Sequence, residues 1–286
     1  MRVVEATAPC ALRLGPRLAL ALDRRAWCRV EPIAAGLELE SKDDALRAVA
    51  VSLETLELGA SLDWTRPLLR HANDGAGLRI AMHGRVPAAT GLPVRAALAA
   101  ALAAALRGSR GEPTSAEAVV ELAGRAPGVD PVDLWTALLG GVVSIPAVGR
   151  PLRVKTDPAK IEERLLLLDV GLPATVSGGP EPDAAQRGRD LLEALARAAF
   201  DELGSLLEVP LHETVPTEAP ARHVAEQVRA RGGHSWLCAG GAAGLMAVWI
   251  APDGRRALLD WVRSAALGVR PVACRLDLLG LDMEQV

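Results

Sequence analysis

The sequence predicts an α+β fold, in which helices cover part of the surface of β-sheets. Three features support this prediction. The amino-terminal part alternates short apolar segments with Gly, Pro and charged residues, a pattern typical of strands. An Ala/Leu run at 96–106 has high helix propensity. The carboxy-terminal part interleaves amphipathic helical patterns with apolar strands.

The first half of the chain is expected to begin with strands and continue into helices. Short strands are predicted at 2–8, 11–14, 18–22, 27–33 and 36–39. A helix at 65–72 and a strand at 77–83 should precede the Ala/Leu helix at 96–107. Helices are then expected at 115–124 and 131–139, followed by Gly140, Gly141 and an apolar strand at 142–145.

The second half is expected to form a separate layer of helices on an antiparallel sheet. Strands are predicted at 151–155, 165–170, 245–250 and 272–278, and helices at 184–207, 219–231 and 256–266. The segment 176–182 is rich in Gly and Pro and is predicted to be a flexible joint. We therefore predict two domains, 1–172 and 173–286.

Composition favours a cytoplasmic globular protein. The chain has 286 residues, 50% of them hydrophobic, and a net charge of −3, so it can bury a substantial core. Its basic residues are scattered, which argues against a nucleic-acid partner. The longest apolar stretch is too short for a membrane span, and no signal-peptide pattern is present. The four cysteines are expected to be reduced core residues, and the oligomeric state stays open.

A turn that leads directly into the Ala/Leu helix is the strongest candidate for a binding site. The segment reads Val-Pro-Ala-Ala-Thr-Gly-Leu-Pro-Val-Arg over 86–95. Gly91 permits close backbone approach and Pro93 suits the start of a helix. The first turn of a helix has unpaired N–H groups and favours negative charge. A phosphate is therefore predicted to bind at 91–96, although an ordinary helix start has the same pattern.

Three segments in the same order resemble the GHMP kinase superfamily, which includes galactokinase, mevalonate kinase and homoserine kinase. Pro87, Gly91, Leu92 and Ala96 fall on the motif Pro-x-x-x-Gly-Leu-Gly/Ala-Ser-Ser-Ala. The Gly-rich segment 238–252 is similar to the last motif of the family, and 6–15 is similar to its opening strand. The resemblance covers nearly the whole chain. Apolar strands at 165–171 and 275–281 look most like the heptose-phosphate and fucose kinase branch.

The resemblance implies a two-domain kinase-like fold that binds ATP and Mg²⁺. Its amino-terminal domain would be an S5-like α/β unit and its carboxy-terminal domain a ferredoxin-like α+β unit. The residues implied to contact the nucleotide are Pro87, Ala88, Ala89, Thr90, Gly91, Leu92, Arg95, Ala96, Gly240, Gly241 and Gly244.

The resemblance also implies two carboxylates that support phosphoryl transfer. Asp133 stands seven residues before Gly140, at the spacing that the family uses for its catalytic aspartate. Asp130 is the rival, since it follows a Pro-Gly-Val that resembles another version of the motif. Glu121, twelve residues before Asp133, is the candidate metal ligand. Ordinary alternatives are a first-turn helix aspartate and a solvated glutamate.

Departures from the family pattern keep three functional hypotheses open. Val94 and Arg95 replace both serines of the phosphate loop, which weakens the implied use of ATP and Mg²⁺. One hypothesis is a small-molecule kinase acting on a sugar or similar hydroxyl, and a second is an inactive relative that binds a ligand or protein partner. The third is a non-kinase enzyme such as a ribofuranosylaminobenzene 5'-phosphate synthase, whose closing motif is faintly similar to Gly-His-Ser-Trp at 233–236. Arg95 could bind phosphate directly with its guanidinium group.

Overall fold

The computed structural model describes residues 1–43, 45–72, 77–84, 92–146, 148–171, 184–208, 219–238 and 244–286. The strands in these ranges are β1 (Val4–Gly15), β2 (Leu18–Ile33), β3 (Leu37–Ser41), β4 (Leu46–Ala50), β5 (Gly77–His83), β6 (Val142–Ser144), β7 (Leu152–Val154), β8 (Leu165–Asp169), β9 (His234–Leu237), β10 (Leu245–Trp249), β11 (Arg270–Val272) and β12 (Asp282–Gln285). The helices are α1 (Gly59–Leu62), α2 (Arg66–Ala72), α3 (Val94–Ser109), α4 (Ala116–Ala123), α5 (Pro131–Leu139), α6 (Pro158–Arg164), α7 (Ala184–Ala196), α8 (Phe200–Leu207), α9 (Pro220–Arg229) and α10 (Pro252–Ser264).

The first sheet is mixed and is built around two long strands. Its main order in the described chain is β12-β1-β2-β5-β3-β4, and β6 pairs with the start of β2 and with β7. β3 and β5 run parallel, and every other described pair is antiparallel. The expected segments 2–8 and 11–14 form one strand, β1, and 18–22 and 27–33 form one strand, β2. The pairing of β1 with β2 shifts register between Pro9 and Cys10 of β1, and both strands continue past this irregularity.

α3 lies across β1 and β2 and forms the centre of the core. Twelve of its sixteen residues are buried, most of them alanines. A helix that is apolar on all sides is stable only when it is surrounded by protein, and small alanine side chains let the neighbouring elements approach closely. The Ala/Leu run thus predicted the helix, and the structure adds its central position.

The second sheet is antiparallel, with the order β11-β8-β10-β9. Successive side chains of a strand point to opposite faces, and the leucines of β8 show this directly. Leu165 and Leu167 join the large core that includes α3, whereas Leu166 and Leu168 join a second core with α9 and α10. β8 is therefore buried on both faces, which explains its unbroken apolar sequence. The predicted α+β class is confirmed.

Two predicted elements are wrong. The helix expected over 184–207 is two helices, α7 and α8, because Ala198 has a φ of +54° and breaks the helical path. The strand expected over 272–278 ends at Val272, and the following residues contribute an isolated bridge between Leu276 and Leu22. Several short elements were not predicted from the sequence, namely β4, β9, β12, α1 and α6.

The predicted domain boundary at residue 172 stays a prediction. β8 precedes that boundary but pairs with β10 and β11, which follow it. β12, at the other end of the chain, returns to pair with β1. Sheet membership therefore favours a division before β8, with the carboxy-terminal strand completing the first sheet. In the described residues, no helix combines the length and apolar character needed to cross a membrane.

The return of the carboxy-terminal segment depends on glycines that let two backbones meet. Gly140 ends α5 with a φ of +66°, and Gly280 lies against it with a φ of +75°. A Cβ atom on Gly280 would lie 2.2 Å from the carbonyl oxygen of Leu138. Gly141 adds a hydrogen bond of 2.6 Å from its N–H to the carbonyl of Asp277. The Gly-Gly pair therefore has a packing role here.

Gly280→Ala is expected to destabilise the protein much more than Gly111→Ala. Both glycines have a positive φ, of +75° and +73°, but a Cβ on Gly111 would meet no atom within 4 Å. Gly111→Ala should cost about 1–2 kcal/mol from backbone strain alone. Gly280→Ala adds a clash with backbone that cannot move aside easily. Urea unfolding of both variants measures the difference, and equal free energies of unfolding would contradict this account of the contact.

Candidate functional site

The amino-terminal end of α5 carries both candidate catalytic aspartates. Asp130 is the N-cap residue, and its side chain accepts a hydrogen bond of 2.8 Å from the N–H of Val132. Pro131 occupies the first turn, where its missing N–H costs nothing. Asp133 lies in the same turn and is buried. The helix start favours negative charge at both positions.

Arg13 of β1 joins the two aspartates. Its Nε donates to Oδ1 of Asp133, and a second guanidinium nitrogen forms an ion pair with Oδ1 of Asp130. The carbonyl of Arg13 accepts a hydrogen bond of 3.2 Å from the indole N–H of Trp236 in β9. Arg13 was not among the predicted site residues. Its signal was the one charged residue in the otherwise uncharged segment 6–15.

One guanidinium group, that of Arg13, pairs with two carboxylates in this cluster, so the cluster has one positive charge for two acidic groups. Burial raises the pKa of Asp133, and repulsion from Asp130 adds to that effect, while the hydrogen bond from Arg13 opposes it. Burial lowers the pKa of Arg13, but its hydrogen bonds and attraction to the two aspartates outweigh this and raise it. The arginine therefore stays charged, and Asp133 takes up a proton more readily than an ordinary aspartate.

The predicted phosphate-binding helix start is α3, and only part of its loop is described. Pro87, Ala88, Ala89, Thr90 and Gly91 lie outside the described residues. Leu92 and Ala96 are buried, and α3 begins at Val94 after Pro93 without a side-chain cap.

Arg95 connects this helix start to the aspartate cluster. It is exposed in the first turn of α3, and its guanidinium group lies beside Gly128, where a Cβ atom would come within 3.0 Å of Nη1. Gly128 belongs to the loop that leads to Asp130. Val94 points elsewhere, since its methyl group lies against Gly84 at the end of β5. The structure thus places Arg95 next to the loop that positions the candidate catalytic aspartates.

The candidate metal ligand and the predicted glycines lie outside the aspartate cluster. Glu121 lies on α4 with a side chain that is 74% exposed, and it forms an ion pair of 3.3 Å with Arg125. In the ranges that the structure describes, no group of three His, Cys, Asp or Glu side chains is arranged to hold a metal ion. Gly244 immediately precedes β10, and its carbonyl accepts from the N–H of Val170, whereas Gly240 and Gly241 lie outside the described residues. A metal-binding role for Glu121 stays a prediction.

No protein-family model matches the chain, and no curated protein matches it in sequence. Solved structures match over its full length. A protein assigned as a sugar kinase from Campylobacter jejuni superposes with a TM-score of 0.81 at 15% identity, covering 100% of this chain and 99% of that one. A D-glycero-D-manno-heptose 1-phosphate kinase from Bacteroides thetaiotaomicron gives a TM-score of 0.73 at 13% identity, with 99% of each chain covered.

This chain has the GHMP kinase fold. The mevalonate diphosphate decarboxylase from Enterococcus faecalis shares the fold as well, with a TM-score of 0.69 at 16% identity over 100% of this chain and 99% of that one. The GHMP fold therefore carries both kinases and a decarboxylase. Function in this chain has to be argued from its own residues.

Proposed function

We propose that this chain is a small-molecule kinase of the GHMP type that transfers the γ-phosphoryl group of ATP to a hydroxyl of a sugar or a similar compound. The observation that carries the proposal is the buried Asp133, held by Arg13 at the start of α5. A buried carboxylate that is oriented by a cation and keeps a raised pKa is suited to accept a proton. Asp130 is the alternative base at the same helix start.

The proposed reaction needs few protein groups. The substrate hydroxyl oxygen forms a bond to the γ-phosphorus, the bond between that phosphorus and the bridging oxygen of ADP breaks, and the hydroxyl proton passes to Asp133. Arg13 holds the carboxylate in one orientation through the hydrogen bond to its Oδ1. Arg13 is thus a positioning residue for Asp133.

The start of α3 is the proposed site for the phosphates of ATP. The N–H groups of Val94 and Ala96 bond to the carbonyls of Leu92 and Pro93. The dipole of the helix start still favours an anion there, and Arg95 adds a guanidinium group that can bind two phosphate oxygens at once. The mevalonate diphosphate decarboxylase with this fold is described as binding ATP. Mg²⁺ that accompanies ATP would be held mainly by the phosphates and by one or two protein carboxylates, and we assign none of the described carboxylates to it.

A second candidate function is a relative that binds a phosphorylated ligand without catalysis. Its support is Val94, which has no hydroxyl to offer a phosphate and which packs on Gly84. In the active hypothesis Arg95 compensates for the missing hydroxyls, and in the inactive hypothesis it binds the ligand alone. The distant similarity of 233–236 to the synthase motif is better explained by local contacts, since Trp236 bonds to Arg13 and His234 bonds to Glu208 at 2.9 Å.

Calorimetric titration with Mg-ATP tests the proposed nucleotide site. We expect saturable binding to the unmodified protein and an affinity reduced about tenfold or more in Arg95→Gln, because hydrogen bonds to charged groups are about twice as strong as neutral ones. Arg263→Gln is the matched control, since Arg263 is exposed on α10 and pairs with Asp260. Absence of binding at millimolar nucleotide would favour the second candidate, and an unchanged affinity of Arg95→Gln would remove Arg95 from the site.

A further inference from the structure

A cavity of about 390 Å³ lies at the end of α3 that is far from Arg95. α3 has sixteen residues, so its two ends are about 24 Å apart. The cavity is an open surface cleft between the last turn of α3, the residues that follow it, the start of the chain and β12. Its lining includes Arg2, Ser109, Arg110, Glu112, Met283 and Gln285.

The charge around this cavity is predominantly positive. Among the described residues that line it, Arg2 and Arg110 are cationic and Glu112 is acidic. Glu112 is already held by several partners, with contacts of 2.9 Å to His71, 2.8 Å to Arg110 and 3.4 Å to Arg107. The guanidinium group of Arg2 instead contacts an amide oxygen, that of Gln285 at 3.0 Å. Two guanidinium groups, those of Arg107 and Arg110, therefore share one carboxylate.

The register of β12 removes its acidic side chains from the cavity. Met283 and Gln285 line the cavity, and alternation along the strand places Asp282 and Glu284 on the opposite face. Asp282 and Glu284 therefore do not neutralise the positive charge of the cavity.

The carbonyl groups at the end of α3 accept hydrogen bonds from donors other than the guanidinium groups of the cavity. A helix leaves its last four carbonyls without intrahelical partners, and these would attract cations. Here other donors satisfy them: the hydroxyl of Ser109 bonds to Leu106, and backbone N–H groups of residues 110, 111 and 2 bond to the carbonyls of residues 107, 108 and 109. The guanidinium group of Arg110 also donates to the carbonyl of Ala72 at 3.3 Å, so the guanidinium group of Arg2 is the better placed of the two to bind an anion.

We propose that this cavity is a second ligand site, which binds a small anionic molecule through phosphate or carboxylate oxygens. Its volume lies within the range of small-molecule sites. Guanidinium groups match the planar or tetrahedral oxygens of both anions, and Gln285 offers an amide for a further hydrogen bond. This site is independent of the proposed nucleotide site because it lies at the opposite end of α3.

Methionine methyl NMR provides a local readout of this site. The chain has four methionines, of which Met283 and Met1 line the cavity, while Met82 and Met246 are buried at 1% and 0% exposure in the sheets. Protein labelled with ¹³C at the methionine methyl groups is titrated with inorganic phosphate and, separately, with citrate at constant ionic strength. Met283→Leu assigns the Met283 signal. We expect a saturable shift of that signal, with Met82 and Met246 unchanged, and the tighter of the two probes indicates whether phosphate or carboxylate is preferred.

Variants decide whether the arginines of the cavity cause the shift. Arg2→Gln should weaken binding about tenfold, because it removes a charge-assisted contact and Arg2 is exposed enough to be replaced without harm to the fold. Arg95→Gln and Arg263→Gln should leave the Met283 titration unchanged. The proposal is overturned if the Met283 signal does not saturate with either anion, if Arg2→Gln binds as tightly as the unmodified protein, or if Arg95→Gln alone abolishes the shift.

Discussion

Asp133→Asn is expected to lower the rate of phosphoryl transfer by about 10²–10⁴-fold, the usual contribution of a general base. Asparagine fills the same volume beside Arg13 but cannot accept the proton of the substrate hydroxyl. ADP formation with a panel of sugars and sugar phosphates measures the loss. Asp130→Asn is the matched control, because asparagine is an equally good N-cap and keeps the start of α5 intact. A larger loss in Asp130→Asn would transfer the catalytic role to Asp130.

The same substitution should not destabilise the protein near neutral pH. An aspartate whose folded pKa is raised favours the protonated form, so its ionisation destabilises the fold as pH rises through that folded pKa. The asparagine side chain in Asp133→Asn would be neutral at every pH, and the loss of the hydrogen bond to Arg13 is offset by removal of a buried charge. A melting temperature at pH 7 equal to that of the unmodified protein, or higher, is expected. A large decrease would show that Asp133 is mainly structural.

Asp277→Ala is expected to destabilise the protein by about 3–5 kcal/mol, the usual cost of breaking a buried ion pair. The side chain of Asp277 is only 6% exposed and pairs with Arg25 of β2. Its other oxygen accepts hydrogen bonds of 3.0 and 3.1 Å from the N–H groups of Leu279 and Gly280. Alanine would leave the guanidinium of Arg25 without its carboxylate and free the segment that packs on Gly140.

Urea unfolding measures this effect, with Asp260→Ala as the control. Asp260 forms an ion pair of 2.9 Å with Arg263 on α10, but both side chains are mostly exposed, at 65% and 68%. Exposed ion pairs contribute about 0–1 kcal/mol, so the control should unfold almost as the unmodified protein does. Equal effects of the two substitutions would show that the Arg25–Asp277 pair does not fix the carboxy-terminal segment.

Strongly patterned elements of the fold could be predicted from the sequence. The alanine run predicted α3, because alanine has the highest helix propensity. The leucine run predicted β8, because a short continuous apolar segment is typical of a strand that is buried on both faces. The helix expected over 184–207 has continuous apolar spacing, and only the positive φ of Ala198 divides it. β12 could not be predicted, since its four residues are stabilised by pairing with β1 at the other end of the chain.

In the candidate site, too, residues with a local sequence signal could be predicted, and a residue brought in by long-range packing could not. Asp130 and Asp133 have a local signal, a proline between an N-cap aspartate and a first-turn aspartate. Arg13 is 120 residues away from Asp133 in the sequence, and only the packing of α5 against β1 brings them together. Spacing alone selected Glu121, which the structure places in an exposed pair with Arg125.

The most direct test of the proposed kinase activity is phosphorus NMR of the protein incubated with Mg-ATP and a mixture of sugars and sugar phosphates. We expect a new phosphomonoester signal that grows in step with ADP, and we expect no such signal when Asp133→Asn replaces the unmodified protein. Mg-ATP that binds saturably without forming any product beyond the Asp133→Asn background would contradict the proposed activity and favour a GHMP-fold protein that only binds its ligand.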